Sequence, residues 1–383
     1  MYSISDYGGM IVDSLRTDAF VEALRQAVTP ESVVLDIGTG TGIFALLACQ
    51  FGARQVYAIE PNDAIQVARE IAATNGYSGR IEFIQNLSTK VLLPEPANII
   101  IYDLYGVLPL LQHRIPSIVD ARKRLLAPNG VLIPQRDKLW AALVEVPELY
   151  GRHYTTPWDD NKYGVDMSRA KSIVTNAWRK QQIKTEQLLV EPQCWATLDY
   201  TSIESSDVSS ELSWDSPREG IAHGLVLWFD AMLAEGVGFS NAPGKPELIY
   251  GNAFFPFSKP VTLAVGDHVS ISLEAKLVVD DYIWRWNTIV LDQGDPAHVK
   301  ANFKQSTFFG APLSLSNLRK QAATYVPTLD EKGQTTQFIL SQMDGDRSIH
   351  DIAQQLSSRF PIQFPTWEKA LDRVSELSKK YSR

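Results

Sequence analysis

Asp36, Gly38, Gly40 and Gly42 stand at two-residue intervals behind the apolar run Val33-Val34-Leu35, and Glu60 closes a second apolar run from Gln55 to Ile59. The pattern predicts a buried strand, a turn through Gly38-Thr39-Gly40, a helix from Ile43 to Phe51, and a strand ending at Glu60-Pro61. Glycines let the backbone approach a ligand closely because no Cβ intervenes. An acidic residue roughly twenty positions on, at the tip of the next strand, can accept both hydroxyls of a ribose. The chemistry implied is binding of a nucleoside-bearing cofactor. Dinucleotide sites prefer G-x-G-x-x-G, with a pyrophosphate against the helix N-terminus; here the third glycine comes one residue earlier. Asp103 follows the apolar strand Ile99-Ile-Ile-Tyr102, at the carboxyl end where α/β folds place their sites, and is the leading catalytic candidate. Tyr105 and Gln112 follow as orienting groups, with core packing an alternative for Tyr105. Arg16, on a helix just upstream of the glycine turn, is placed to meet a carboxylate; a surface salt bridge worth little is the bland alternative.

These residues need a scaffold, and the hydropathy pattern supplies one. Residues 10–30 carry a helical stripe closed by Pro30, with Tyr2 and Tyr7 ahead of it, able to close over a cofactor. A helix near Ala64–Thr74, strands at Ile81–Ile84 and Asn98–Tyr102, and a helix over Ile115–Leu126 continue the alternation. Val131–Pro134 and Leu139–Val146 read as closing strands of a mainly parallel sheet covered on both faces. From Lys184 to Asp292 short β-like runs alternate with turns: Leu225–Phe229, Val261–Val265, Val269–Lys276 and Tyr282–Val290 are clearest. Trp284 and Trp286 share one face there and suit a core. Short amphipathic helices over Thr335–Met343, Ser348–Ser357 and Trp367–Lys379 end the chain. The domains expected are thus 1–146, 147–318 and 319–383: an α/β core, an all-β barrel or sandwich, and a small helical appendage.

Composition narrows the function classes. The 383 residues are 45% hydrophobic and 21% charged, as in a soluble globular protein of two or three domains. A net charge of −8 gives no support to a nucleic-acid partner. Two cysteines cannot make a disulfide framework, and six scattered histidines form no metal-binding spacing, so no metal is expected. No signal peptide or bilayer-spanning run is evident, and the cytoplasm is the expected compartment. His223 suits a satisfied core position, and Arg122-Lys123-Arg124 a solvated helix face.

The acidic-x-G-x-G-x-G form resembles the first motif of class I S-adenosylmethionine-dependent methyltransferases, whose cofactor has no phosphate and carries an ammonium that Asp36 would favour. Further motifs resemble the protein arginine methyltransferases. Met10-Ile-Val-Asp13-Ser-Leu-Arg16 resembles their M-x-x-D-x-x-R helix, Asp103-Leu-Tyr-Gly106 stands where they have E-W-M-G, and Ala121-Arg-Lys-Arg-Leu-Leu-Ala-Pro-Asn-Gly130 resembles their A-R-D-K-x-L-A-P-x-G turn. Tyr163-Gly-Val-Asp-Met167 resembles the Y-G-F-D-M that opens their dimerisation arm, and Gly238-Phe-Ser-Asn-Ala-Pro243 resembles G-F-S-T-x-P. The resemblance spans roughly residues 2–315. It implies S-adenosyl-L-methionine held by Arg16, Asp36, Gly38, Thr39, Gly40, Glu60, Pro61 and Ser88. It also implies a class I Rossmann-like core with a β-barrel, a homodimer joined by an arm near 151–180, and N-methylation of a protein or peptide side chain. Two departures bear on the acceptor. The family's pair of glutamates falls on Asp103, one methylene shorter, and on neutral Gln112. Its T-H-W loop is replaced by Leu248-Ile249-Tyr250, so Asp13 loses a histidine partner. A non-arginine acceptor (an imidazole, another peptide nitrogen or a small molecule) therefore stays open, as does a cofactor-binding scaffold without catalysis. Residues 325–353 resemble the PqqD-like domains that take leader peptides of ribosomal natural products, which implies a precursor-peptide substrate; a stabilising helical cap is the alternative.

Overall fold

The computed structural model describes residues 2–159, 162–295 and 297–382. The chain divides into two compact units, Met1–Pro312 and Leu313–Arg383. In the first, five parallel strands, β1 (Val33–Ile37), β2 (Gln55–Ile59), β3 (Ile81–Ile84), β4 (Ala97–Tyr102) and β5 (Leu126–Ile133), lie in the order β3-β2-β1-β4-β5. Every residue of β1 is buried, which is why its sequence is a continuous apolar run broken only by Asp36. The strand order reverses between β1 and β4, and a doubly wound sheet opens a crevice at the carboxyl ends of such a pair. Ile37 is paired with Ile59 on one side and Tyr102 on the other, so the residues that follow, Gly38, Glu60 and Asp103, leave one edge together.

The stripe expected over residues 10–30 is two helices, α1 (Ile4–Val12) and α2 (Ser14–Ala27), broken at Asp13. A capping box starts α1: the Asp6 amide donates to the Ser3 hydroxyl, and the Ser3 amide to the Asp6 carboxylate. Tyr7 thus lies within a helix, not ahead of one. Helix α3 (Ile43–Gln50) follows the glycine turn, α4 (Ala64–Thr74) joins β2 to β3, and α5 (Arg114–Arg124) joins β4 to β5.

The run expected as the last strand of the parallel sheet has another home. Strand β6 (Arg136–Val144) pairs antiparallel with Gly220–Ala234 and with Gln193–Asp199 in a six-stranded sheet. The change from parallel to antiparallel sheet therefore comes between Ile133 and Arg136, ahead of the expected boundary at 146. A four-stranded sheet in the order Val299–Ser306, Asp281–Leu291, His268–Val278, Val208–Asp215 faces it. Phe255 of the first sheet meets Trp284 and Trp286 of the second at 5.1 Å between ring centroids. The Trp286 indole donates to the Pro256 carbonyl at 3.1 Å, so both tryptophans are core residues.

The second unit has an exposed helix at Leu315–Gln321 and three helices, Glu331–Gln342, Ile349–Arg359 and Trp367–Tyr381, around a small core of Ile339, Ile352, Ala353, Leu356, Ala370, Val374 and Leu377. Among its described residues there is no strand, so peptide capture by strand addition has no sheet edge there to extend. No helix among the described residues is long and apolar enough to cross a membrane.

Candidate active site

The glycine turn is built from backbone constraints. Gly38 and Gly40 sit at φ +76° and +54°, a region that L side chains rarely adopt. A Cβ on Gly38 would lie 2.5 Å from Leu104 Cδ2, and one on Gly40 2.4 Å from the Tyr7 ring, so space as well as backbone angle demands glycine. The amides of Gly38 and Thr39 donate to the Ile59 carbonyl at 2.8 and 3.0 Å, tying the turn to the end of β2. Glu60 accepts from the Gly40 amide at 3.1 Å and from the Asn62 amide at 2.9 Å. Asp36, fully buried, accepts from the Thr39 hydroxyl at 2.6 Å. Burial pushes its carboxyl up to about 7, and the Glu60 charge adds to the rise, while the bonds from Thr39 and the Ala45 amide oppose it. These residues fit a nucleoside with an amino-acid tail. Glu60 would take the ribose hydroxyls, the glycine cradle would admit the nucleoside, and Asp36 would face an ammonium. Pro61, next to Glu60, is exposed. Ser88 is buried at the start of a short helical turn, and its carbonyl accepts from Arg124 at 3.1 Å. That is one of several bonds that tie the 122–124 cluster inward. Arg122 also donates to the Tyr200 carbonyl and pairs with Glu204, as does Lys123, so the cluster is not a merely solvated face.

Arg16 on α2 and Asp103 at the end of β4 form an ion pair with side chains only 4% and 11% exposed. Tyr250 completes the group: its hydroxyl accepts from Arg16 Nε at 2.8 Å and donates to Asp103 Oδ1 at 3.2 Å. The replaced loop also keeps a hold on Asp13, whose carboxylate accepts from the Ile249 amide at 2.8 Å, a backbone substitute for the missing histidine. Sequence reasoning noticed residues 248–250 only as a departure and did not single out Tyr250. The signal available was an aromatic hydroxyl in a loop that had lost its histidine.

Among the described residues, neither orienting candidate hydrogen-bonds Asp103, although the Tyr105 ring packs against Tyr250 at 5.6 Å between centroids. The Tyr105 hydroxyl donates to Asp137 Oδ1 at 2.8 Å, and its ring stacks on Phe229 with centroids 5.0 Å apart. Gln112 is exposed and has φ +41°, and among the described residues no hydrogen bond joins it to Asp103. Behind the loop between them lies a buried pair that the sequence did not announce: Arg114 of α5 and Asp137 of β6, 3.4 Å apart. The Tyr200 hydroxyl also donates to Asp137, and the Arg114 guanidinium stands 4.2 Å from the Tyr105 ring centroid. Burial drives the Asp137 carboxyl upward, partly offset by Arg114. His223 is buried, its Nδ1 lying 2.8 Å from the Ile221 carbonyl and 3.2 Å from the Val146 amide, as in a satisfied core position. Burial lowers its pKa.

Residues 135–287 match the family described as the arginine methyltransferase oligomerization subdomain, and residues 16–154 match the ribosomal protein L11 methyltransferase family. The chain is 30% identical over 245 residues to the probable protein arginine N-methyltransferase 6 of Arabidopsis thaliana, covering 62% of this chain and 55% of that relative. It therefore spans little more than half the length of that protein. Protein arginine N-methyltransferase 1 of Schizosaccharomyces pombe is 28% identical over 278 residues, covering 70% of this chain and 80% of its own. Among solved structures, the Trypanosoma brucei PRMT1 enzyme–prozyme heterotetrameric complex with AdoHcy superposes with a TM-score of 0.71 at 21% identity, over 79% of this chain and 98% of that one.

Proposed function

We propose that this chain, an S-adenosylmethionine-dependent methyltransferase with the fold of the protein arginine methyltransferases, transfers methyl to a side-chain nitrogen of a protein or peptide held by Asp103. The observation that carries this reading is the placement of Asp103. It stands at the carboxyl end of β4, beside the glycine turn of the neighbouring strand, and is nearly buried against Arg16. The bound cofactor supplies an electrophilic methyl on a sulfonium. Asp103 accepts an N–H of the nucleophile and stabilises the positive charge that the nitrogen gains, so orientation counts for more than acid–base strength. Arg16 is read as the partner of the cofactor carboxylate, with Asp36, Gly38, Thr39, Gly40, Glu60, Pro61 and Ser88 around the rest.

The names of the relatives favour arginine as the acceptor. A guanidinium keeps its charge near neutral pH, and one carboxylate localises that charge on one nitrogen less well than two. The exposed, neutral Gln112 favours a second reading, a neutral nitrogen such as imidazole. Treating synthetic arginine-containing and histidine-containing peptides with S-adenosylmethionine, followed by tandem mass spectrometry, separates the two. Methyl on arginine supports the first reading, methyl on histidine alone supports the second, and methyl found only on small molecules overturns both.

The match over 135–287 and the exposed Tyr163 and Val165 support a two-fold homodimer joined by the arm near 151–180. Residues 319–383 are read as a PqqD-like unit that brings a precursor peptide to the enzyme, supported by exposed apolar residues Leu329, Leu340, Ile349 and Ile362. The cytoplasm is read as its compartment, in keeping with free Cys49 and Cys194.

A further inference from the structure

Arg16 presents its hydrogen bonds in an unusual division. Nη1 donates to the Met10 carbonyl at 2.8 Å and the Thr17 hydroxyl at 3.1 Å, Nε donates to the Tyr250 hydroxyl at 2.8 Å, and Nη2 meets Asp103. An arginine and a carboxylate left to themselves in a buried site favour two parallel bonds, commonly through Nε and Nη2 to the two carboxylate oxygens. Here the phenol oxygen takes the Nε direction. Asp103 Oδ1, which a paired fork would bring to Nε, instead accepts from that same hydroxyl at 3.2 Å. The pair is thereby held to a single contact.

The phenol is itself fixed. Its ring stacks on Phe239 with centroids 5.9 Å apart and abuts Phe229 at 5.5 Å and Tyr105 at 5.6 Å, and the preceding Ile249 amide is bound by Asp13. A rigid aromatic box sets the hydroxyl between two charges. Arg16 and Asp103 belong to different halves of the site in the reading above, one facing the cofactor carboxylate and the other the acceptor nitrogen. A two-bond pair buried at this depth would sequester each from its ligand, because a charge pair in a low-dielectric interior separates at high cost.

We propose that Tyr250 is a positioning residue whose hydroxyl keeps Arg16 and Asp103 in a single, exchangeable contact, so that the guanidinium is available to the cofactor carboxylate and Asp103 to the acceptor. The inference rests on the assignment of Arg16 to the cofactor carboxylate. It makes Asp103 and that carboxylate competitors for one guanidinium, and Tyr250 the group that sets the terms of the competition.

The test is calorimetric titration with S-adenosylhomocysteine and with 5′-methylthioadenosine, which lacks the amino-acid end. The proteins are the full-length chain and its Tyr250→Phe, Asp103→Asn and double variants, each checked by thermal melting. Tyr250→Phe keeps the ring in its box and removes only the oxygen. It should weaken S-adenosylhomocysteine binding about tenfold, the scale of one bond to a charged group, and leave methylthioadenosine binding unchanged. Asp103→Asn should tighten S-adenosylhomocysteine binding, and adding it to Tyr250→Phe should restore what the phenylalanine lost. Unchanged affinity in Tyr250→Phe, an equal loss for both ligands, or no recovery in the double variant overturns the proposal. If Tyr250→Phe fails to fold, Asp103→Asn alone decides: tighter binding supports the competition, and unchanged or weaker binding overturns it. An unaltered chain that binds methylthioadenosine but gains nothing from the amino-acid end refutes the assignment of Arg16. One that binds neither ligand refutes the cofactor site itself.

Discussion

At the scale of single residues, the glycine turn and its two carboxylates make separable predictions. Glu60→Ala removes the acceptor of the Gly40 and Asn62 amides and, in the reading proposed above, the ribose partner. It should weaken S-adenosylhomocysteine binding by roughly 1–3 kcal/mol in titration calorimetry. Asp36 makes binding depend on pH. Its carboxyl, raised to about 7, is mostly protonated below neutrality, whereas a ligand ammonium beside it requires the carboxylate. Affinity should therefore rise with pH up to about 7 and then level off. Below that point binding should release a proton, seen as a difference in heat between buffers of unequal ionisation enthalpy. Asp36→Asn should abolish this pH dependence. These positions were legible in the sequence because their meaning is local: a strand, a turn and a carboxylate within one β–α–β unit. Tyr250 was not, since 147 positions separate it from Asp103 and no short spacing joins them. Gln112 shows the converse. Its place in a family pattern suggested a role beside Asp103, while its exposed side chain and left-handed backbone put it in a tight turn at the surface.

At the scale of elements, the strands and helices from β1 to α5 were legible within a residue or two, because apolar periodicity is a local signal. In the β-rich part, by contrast, strands such as Asn252–Leu263 run well beyond the apolar stretches that marked them, and Gln193–Asp199, Val208–Asp215 and Val299–Ser306 were not singled out. The exceptions have physical causes. Apolar alternation identifies β6 as a strand but does not say whether its partners run parallel or antiparallel, so its transfer to the second sheet was invisible. The stripe across residues 10–30 likewise hides the break at Asp13, where the chain gives up one helix so that a carboxylate can reach the Ile249 amide. The tie between α5 and β6 is the clearest case of a long-range feature. Arg114 and Asp137 are 1% and 0% exposed at their side chains, and both contact the loop or strand that frames the site. Removing one member of such a pair leaves its partner buried without compensation. Arg114→Met should cost about 3 kcal/mol of unfolding free energy in urea titrations, with S-adenosylhomocysteine affinity in the folded protein little changed.

At the scale of the whole molecule, two compact units share one chain, and the larger one carries all three sheets and the candidate site. The exposed run 162–169, within the proposed arm near 151–180, leads to the expectation of a two-fold dimer, so light scattering at micromolar concentration should give twice the mass of a 42.7 kDa chain; a monomeric mass would count against the arm. The second unit was legible as helices, and its likeness to PqqD-like domains suggested a peptide binder, but whether it offers a strand edge or a groove was not legible, because these are properties of assembled elements and not of their periodicity. The central claim is that Asp103 holds the nitrogen that receives the methyl group. Its most direct test is transfer of labelled methyl from S-adenosylmethionine to the peptide found by mass spectrometry, compared between the unaltered protein and Asp103→Asn. Both must first be shown by calorimetry to bind S-adenosylhomocysteine. The account predicts that Asp103→Asn binds the cofactor product at least as tightly and transfers methyl at least a hundredfold more slowly, about the contribution of one well-placed catalytic group. Equal rates in the two proteins, with cofactor bound in both, would contradict it.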